Sequence, residues 1–577
     1  MKRAPNVATA SIHPGPIQRD QRPWLVMIYM AGDNCLTEDM VVSLQDVMQA
    51  RAPHGGIVVA QLDPGGTGIA TQRYDFSAPP RLPRLSKSAA IQPHLEHYRD
   101  PAFDGLERNT GSQASLMEFV RWAWKKKAGR QMRTLLILSG HGSGSTEDFF
   151  LKDETSADSL TFEELAGAFA KMHEDKDDPI AIDVLGLDAC YMCMGELAYE
   201  LREHVGILIG PEGLEPSFGW PYRRILSEVR LREGPMEDEQ LAKLIVHEYI
   251  EHYADYDRAA GRAADLAALR LNRMDEVARA FKALVGVLPE SKAGHEKVLL
   301  AHWYAQTYKA DQFVDLKDLC DQIRKVFPAG GRVAKACQNV VAALKSCVIH
   351  SRCSGFATQF SHGVSIYFPW AMVSPDYWAR PFARHTRWPS YLKAHLVATR
   401  RRPRRRDLMP ITPPVSDLLQ RAGLNESTAA TKGIRKKVAQ WLAARIPSDA
   451  GGSSTPAAVA EAAIIRRLLS LLDMANTSRE RLALLRTAKR VDKGDLPAVD
   501  IPDALARRFF RSRYTERSKY TERSKYTERS KYTERSKYTE RSKYTERSKY
   551  ADRMRTAGDR ETWVKNLPPI VGVSEWP

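Results

Sequence analysis

Continuous runs of apolar residues alternate with helix-like patterns in the first part of the chain. Residues 24–30, 134–138 and 182–187 are runs of the kind found in buried strands. Between them, residues 36–50 carry apolar side chains every three or four positions, which is the spacing of one helix face. This alternation predicts an α/β fold with a mostly parallel sheet flanked by helices on both faces.

The same pattern continues less regularly towards residue 396. Thr161 and Glu164 match a capping box, which predicts that a helix begins there. Residues 57–60 and 206–209 are short strand-like runs, residues 235–345 have a mostly helical pattern, and residues 364–368 return to a strand. A closing helix is expected over residues 378–396, with Trp388 as its apolar anchor.

Composition divides the chain beyond this point. Six of the seven residues from Arg400 to Arg406 are arginine, and residues 514–549 are six copies of Tyr-Thr-Glu-Arg-Ser-Lys. Such a repeat is typical of a solvated segment with little fixed structure. We therefore expect a leader, an α/β domain, an Arg/Pro-rich linker, a helical C-terminal extension, a low-complexity repeat tail and a terminal tail. Their predicted bounds are 1–22, 23–399, 400–414, 415–510, 511–550 and 551–577.

Charge and cysteine content limit the class of protein. The 577 residues carry a formal net charge of +16, which favours acidic partners such as nucleic acid or an anionic surface. The seven cysteines are an odd number spread over a long chain, unlike a disulfide scaffold. The N-terminal segment lacks the apolar core of a secretory signal, and no run is long enough to span a membrane. These features predict a cytoplasmic protein, unless another route exports it.

Two chemically capable residues follow neighbouring strand patterns. His141 lies between two glycines after the strand at 134–138, and Cys190 follows the strand at 182–187. A thiol nucleophile needs a base and donors for an oxyanion. We predict Cys190 as nucleophile and His141 as general base, with the N–H groups of Gly142 and Cys190 as oxyanion donors. Cys190 also lies between the end of a strand and the expected start of a helix. At that position, the helix dipole is predicted to favour the thiolate form of Cys190.

Several segments resemble the clostripain family of cysteine peptidases, within the group that contains caspases, legumains and gingipains. The segments, which occur in the same order over about residues 23–396, are Tyr29-Met-Ala-Gly-Asp-Asn34, Leu138-Ser-Gly-His-Gly142, Gly186-Leu-Asp-Ala-Cys190 with Met194 and Glu196, Gly219-Trp-Pro-Tyr222 and Ser365-Ile-Tyr-Phe-Pro369. The resemblance implies a caspase-like α/β sandwich in which His141 and Cys190 match the catalytic dyad. It departs at Cys35, where relatives often carry Asn, and at Pro211-Glu-Gly, where Ser-Glu-Glu is more usual.

The resemblance also implies a substrate class. Asp188 matches the acidic residue at the base of the S1 pocket, so a peptide or protein substrate with Arg or Lys at P1 is expected. Glu212 is a second substrate-binding candidate, and the nearby Glu215 also adds negative charge. The alternative for Asp188 is that it caps the following helix.

Maturation and cofactors are further expectations from the family. Some members cleave themselves between the His and Cys blocks, where Lys152, Lys171 and Lys176 are candidate sites. Several members need calcium, although the sequence itself requires no cofactor. The acidic run at 174–178 lacks the spacing of a calcium loop, so we predict no metal ligands.

Three other interpretations remain open at this stage. Cys190 and Cys193 form a Cys-x-x-Cys pair, which a disulfide oxidoreductase would use. Zinc binding by this pair would need two more ligands; Cys347, His350 and Cys353 are regularly spaced but lie far along the chain, where buried thiols are the simpler account. Finally, the α/β part could be an inactive scaffold whose basic C-terminal region binds nucleic acid or an anionic partner.

Overall fold

The computed structural model describes residues 22–399 and 415–492, apart from gaps inside both parts, of which 78–93 and 446–464 are the longest. The predicted leader up to residue 21, the linker at 400–414, the hexapeptide repeats and the terminal tail lie outside the described residues. The part of the extension that is described contains helices, in agreement with its pattern. No helix among the described residues is both long enough and apolar enough to cross a membrane.

The strands are numbered here in chain order. They are β1 (Trp24–Gly32), β2 (Ile57–Pro64), β3 (Gln72–Asp75), β4 (Arg133–Ser139), β5 (Phe150–Asp153), β6 (Asp158–Leu160), β7 (Ile182–Asp188), β8 (Val205–Gly210), β9 (Ala264–Arg270), β10 (Thr307–Tyr308), β11 (Phe313–Asp315), β12 (Val348–Ser354) and β13 (Ser365–Tyr367).

The helices are numbered in the same way. They are α1 (Thr37–Ala50), α2 (Gln113–Lys125), α3 (Phe162–His173), α4 (Gly195–Leu201), α5 (Tyr222–Leu231), α6 (Asp238–Tyr253), α7 (Met274–Val285), α8 (Lys292–Tyr304), α9 (Leu316–Val326), α10 (Arg332–Cys347), α11 (Pro381–Thr386), α12 (Trp388–Ala398), α13 (Val415–Arg421), α14 (Ile434–Ala443) and α15 (Ser478–Asp492).

An eight-stranded sheet organises the α/β part, in the order β12-β9-β8-β7-β4-β1-β2-β3. The central strands β8, β7, β4, β1 and β2 are parallel, whereas β3, β9 and β12 pair antiparallel at the two sides. The predicted mostly parallel sheet is therefore confirmed. Its central strands are mostly apolar, as expected for strands that are covered on both faces.

Two hydrophobic cores lie on opposite faces of the sheet. Successive residues of β1 alternate between them, with Leu25 and Met27 in one core and Val26 and Ile28 in the other. The second core contains side chains of α1, α5 and α6, and the first contains those of the larger helical layer, including α2, α3 and α7. This arrangement explains why the strand patterns are continuous runs rather than alternating ones.

The later part of the chain contains structure that its pattern did not predict. The stretch expected to be mostly helical includes β9, whose Ala- and Leu-rich sequence has a high helix propensity. Pairing with β8 and β12 makes it a strand instead. The expected closing helix at 378–396 is also interrupted, because Arg387 adopts a left-handed φ of 59° between α11 and α12.

The last helix of this part, α12, buries a pair of histidines. His395 packs against His295 and Tyr391, with ring centroids 5.4 and 5.9 Å away. Burial, together with the smaller effect of His295, lowers the pKa of His395 to about 3. Because the folded pKa lies below the unfolded one, the stability contributed by neutral His395 is full above about pH 6.5 and is lost as the pH falls towards 3.

We expect His395→Phe to make the protein less sensitive to acid. The wild-type free energy of unfolding should fall by up to about 1.4 kcal/mol more per pH unit than that of the variant between pH 6 and 4. Urea unfolding at several pH values measures this difference. Parallel pH dependences of the two proteins would show that His395 does not titrate with unfolding.

Candidate active site

The two predicted catalytic residues follow adjacent strands that end at the same level. Ser139 of β4 lies directly opposite Asp188 of β7 in the parallel ladder. His141 and Cys190 each come two residues later, so their turns emerge side by side from the carboxyl edge of the sheet. Ligand sites of open parallel sheets form at this edge. The structure therefore brings His141 and Cys190 to one place.

Gly142 fixes how closely these two turns approach each other. A Cβ atom at this position would lie 2.5 Å from the carbonyl oxygen of Cys190, which no side chain can tolerate. The chain here pairs with β5, since Leu151 N–H donates to His141 O (2.9 Å) and Ser143 N–H donates to Phe149 O (3.1 Å). This pairing leaves the Gly142 N–H without a hydrogen bond to any described residue, as an oxyanion donor requires.

The turn that carries Cys190 has a strained backbone. Tyr191, the next residue, has a positive φ of 60°, which costs free energy for a residue with a side chain. Its N–H donates to Gly213 O at 2.8 Å, and Glu215 N–H approaches the Cys190 sulfur to 3.3 Å. The loop at 211–215 therefore determines where the thiol lies, and the sulfur remains half-buried.

One prediction about Cys190 is wrong. Helix α4 begins at Gly195, five residues after the cysteine, and contains seven residues. The turn that contains Tyr191 separates the thiol from the helix end, and a helix dipole acts only within about one turn. The helix dipole therefore does not explain activation of this thiol, and the neighbouring base must do so.

A second motif segment holds the far end of the Cys190 turn. Ser365 N–H donates to Cys193 O at 3.1 Å, and Met194 and Ser365 form a parallel bridge. Buried Glu196 accepts hydrogen bonds from Tyr367 N–H (2.9 Å) and Tyr377 Oη (2.7 Å). Glu196 and strand β13 are thus structural supports of the cysteine turn.

The electrostatic environment of His141 favours the neutral imidazole. Burial, together with the smaller effect of the Lys152 ammonium, lowers its pKa to about 4. A neutral imidazole can accept a proton from a thiol at physiological pH. Its Nε2 atom lies 3.3 Å from the Cys35 sulfur, a contact that the sequence analysis did not predict. The available signal was that Cys35 follows β1, the other neighbour of β4.

Asp188 is the last residue of β7, two residues before Cys190, and is 3% exposed. Its Oδ2 accepts hydrogen bonds from Ser139 Oγ (2.9 Å) and Tyr222 Oη (2.6 Å), while Oδ1 accepts none from a described residue. Burial raises the pKa of Asp188, against the effect of these hydrogen bonds. It is not a helix cap, since α4 begins seven residues later. A carboxyl with an unused oxygen can receive a cationic group.

Gly219 covers the same carboxyl group. Its φ is 64°, and a Cβ atom there would lie 2.8 Å from Asp188 Oδ2. The Tyr253 hydroxyl donates to Gly219 O at 2.6 Å and holds this backbone in place. The segment around Gly219, Trp220 and Tyr222 therefore packs directly against the Asp188 carboxyl group.

The two glutamates of the 211–215 loop have different surroundings. Glu212 is fully buried, and its carboxyl accepts the Gly363 N–H among Asp265 and Asp315. Burial and these two acids raise its pKa well above the usual value. Its role in substrate binding stays a prediction. Glu215 is the glutamate whose backbone contacts the Cys190 sulfur.

Neither alternative role for the cysteines is favoured by the geometry. The Cys193 thiol is buried, donates to Gly363 O at 3.0 Å, and has a pKa raised well above the usual value by burial. A resolving thiol of a redox pair needs access and thiolate character. Cys347 is buried against Arg270 O and Met274 Sδ, and it forms no metal-like group with His350 or Cys353 among the described residues.

One acidic group has the ligand type that calcium prefers. Asp33, Glu107 and Asp153 each offer a carboxylate oxygen, and these oxygens lie within 4.8 Å of one another. Asp33 and Asp153 already accept the backbone N–H groups of Thr155 and Thr110, so the group also braces loops. The acidic run at 174–178 is used differently, because Asp175 pairs with Arg121 and Asp178 accepts from Trp124. The absence of metal ligands stays a prediction.

Comparisons with known proteins identify a family for this chain. A family model described as the clostripain family matches residues 28–395. No curated protein matches the chain.

Two solved structures are similar to this chain. An inactive zymogen C11 protease from Parabacteroides distasonis is 17% identical, with a TM-score of 0.46 over 63% of this chain and 98% of that one. A secreted C11 cysteine protease from Bacteroides thetaiotaomicron, in complex with an irreversible peptide inhibitor, is 16% identical, with a TM-score of 0.48 over 64% of this chain and 99% of that one.

We expect Gly142→Ala to separate the two catalytic turns. The added methyl group would collide with the Cys190 carbonyl, so hydrolysis of a peptide substrate should fall by about 100-fold or more, as when an oxyanion donor is lost. Gly286→Ala is the matched control, because a Cβ atom there makes only ordinary contacts. Equal activity of the two variants would contradict the close approach of the turns.

Proposed function

Because the chain belongs to the clostripain family of cysteine peptidases, we propose that it is an endopeptidase in which Cys190 is the nucleophile and His141 the general base. The observation that supports this assignment is the register of β4 and β7, which brings both residues to one edge of the sheet. Burial keeps the His141 imidazole neutral, so a ring nitrogen has a lone pair that can accept the thiol proton.

The reaction then follows from the positions of these groups. His141 takes the proton of the Cys190 thiol as the sulfur attacks the scissile carbonyl carbon. The N–H groups of Gly142 and Cys190 stabilise the oxyanion, and His141 returns the proton to the leaving amine. Water, activated by the same imidazole, hydrolyses the thioester and frees Cys190.

Asp188 is the residue that we propose to select Arg or Lys at P1. Its buried Oδ1 has no hydrogen-bond donor among the described residues, and its raised pKa means that the carboxylate form lacks a compensating charge. A guanidinium or ammonium group would supply both the donor and the charge. Ser139 and Tyr222 hold the other oxygen and orient the carboxyl group.

We expect fluorogenic peptides with Arg or Lys at P1 to be cleaved, and those with Asp, Asn or Leu to be cleaved much more slowly. Cys190→Ala should abolish all cleavage. Asp188→Asn should lower kcat/KM for Arg by about 30- to 100-fold, the effect of losing a charge-assisted hydrogen bond.

The rate at which iodoacetamide alkylates Cys190 should be unchanged in Asp188→Asn, because Asn retains the contacts with Ser139 and Tyr222. Unchanged cleavage after Arg in Asp188→Asn would refute the specificity assignment but leave the nucleophile assigned. Activity in Cys190→Ala would refute the dyad itself.

Self-processing is the second part of this proposal, and the three candidate lysines differ in accessibility. Lys152 belongs to β5 and its carbonyl accepts a hydrogen bond from Asn34. Lys171 lies in α3, whereas Lys176 lies in the exposed loop between α3 and β7. A peptidase needs an extended, accessible segment, which favours Lys176.

We expect Lys176→Ala to prevent a cut between the His141 and Cys190 segments. Mass spectrometry of purified wild type would then show a new terminus after Lys176, and Cys190→Ala would keep the chain intact there. Lys171→Ala is the matched control and should be processed like wild type. A terminus after Lys152 or Lys171 would contradict the choice of Lys176.

Two earlier expectations stay predictions. The basic segments that suggested a nucleic-acid partner, residues 400–406 and the hexapeptide repeats, lie outside the described residues. The cytoplasmic location likewise depends on sequence alone.

A further inference from the structure

The order of the sheet places His141 between two thiols. Strand β4 has β7 on one side and β1 on the other, and both pairs are parallel. Met30 of β1 lies opposite Ser139, just as Asp188 of β7 does. The turn after β1 carries Cys35 and the turn after β7 carries Cys190. The imidazole therefore has a cysteine on each side.

The contact on the β1 side is a hydrogen bond. The Cys35 sulfur lies 3.3 Å from His141 Nε2, and within the described part of the chain this is the only hydrogen bond on the imidazole ring. An imidazole has two nitrogen atoms, and the partner of one determines the protonation of the other. Use of Nε2 by Cys35 leaves Nδ1 for the proton exchanged with Cys190.

The backbone around Cys35 is braced on both sides. Asn34 Nδ2 donates to Ala31 O (2.9 Å) and Lys152 O (2.8 Å), and its Oδ1 accepts the Leu36 N–H (3.0 Å). Thr37 Oγ1 donates to Gly32 O at 2.5 Å and accepts the Gly65 N–H at 2.9 Å. A side chain on a turn held by so many hydrogen bonds can orient its neighbour at little entropic cost.

We propose that Cys35 is a positioning residue for peptide hydrolysis, which holds the His141 ring through Nε2 as the third member of a Cys190–His141–Cys35 series. The inference rests on the proposed function, in which His141 is the base. The contact that Cys35 makes is with the His141 ring, so it acts through His141. Its effect is to fix the ring plane and the tautomer, the tasks of the third residue in other nucleophile–base systems.

A thiol in this position differs from a carboxylate in its charge. A carboxylate would stabilise the imidazolium and raise the pKa of the base. A neutral thiol orients the ring without adding negative charge. This agrees with the low pKa of His141, which results from burial and from Lys152. The base is thus held in place yet remains neutral.

Two substitutions separate orientation from simple packing. Cys35→Ala removes the hydrogen-bonding group, whereas Cys35→Ser retains a donor and acceptor. Cys353→Ala, which removes a half-buried thiol from β12, is the matched control. We expect Cys35→Ala to lower kcat about five- to tenfold with KM unchanged, the effect of one lost hydrogen bond. Cys35→Ser should recover most of this loss, and Cys353→Ala should equal wild type.

The pH dependence of Cys190 alkylation tests the same idea without peptide hydrolysis. Iodoacetamide labelling of Cys190, followed by mass spectrometry, reports how His141 controls the thiol. The alkylation profile of Cys35→Ala should shift along the pH axis, and that of Cys35→Ser should stay close to wild type. If peptide cleavage is absent but this shift is seen, the proposed function fails, whereas the orientation of His141 by Cys35 stands.

Three results would overturn the inference. Wild-type kcat and alkylation profiles in Cys35→Ala would show that the thiol does not orient the base. Equal losses in the Ala and Ser variants, accompanied by lower melting temperatures, would show a structural role only. A higher kcat in Cys35→Ala would show that Cys35 competes with Cys190 for the imidazole.

Discussion

The parallel register of β7, β4 and β1 is the constraint on which the site depends. The last residues of β4 and β7 lie opposite each other, so the turns that follow them begin at the same level, and β1 continues two residues past this level before its own turn. Each turn contributes one group: a thiol, an imidazole and a second thiol. A one-residue slip would reverse the direction of every side chain and bury or expose the wrong groups. Burial of both sheet faces in apolar cores makes such a slip costly.

Two polar side chains near these strand ends are buried, and burial changes the chemical behaviour of each. Burial favours the neutral form of both His141 and Asp188. The Asp188 carboxylate therefore needs a positive partner to remain charged. Both shifts come from removal of water, but their consequences differ because one group is a base and the other an acid. The loops after β7 and β8 shield this edge of the sheet from water. This one feature of the fold thus supports both the proton transfer and the proposed choice of substrate.

Much of this arrangement could be predicted from the sequence, because parallel strands produce apolar runs and the site residues directly follow them. His141, Gly142 and Cys190 were located in this way. The prediction that a helix dipole activates Cys190 was wrong. Only the backbone conformation shows that the chain turns at Tyr191 before α4 begins. The surroundings of Glu212 and Glu215 could not be predicted either. Their side-chain directions depend on contacts with Gly363 and with the Cys190 turn, both distant in sequence or set by loop conformation.

Cys35 shows why distance along the chain hides part of a site. It lies 106 residues before His141, in a turn whose shape is set by the side chains of Asn34 and Thr37. The motif at this turn first indicates a structural role, because most of its polar atoms bind backbone groups. Once the strand order is known, the same turn is found to lie beside His141. The residues that brace it then act on catalysis indirectly, by fixing the sulfur that contacts the base.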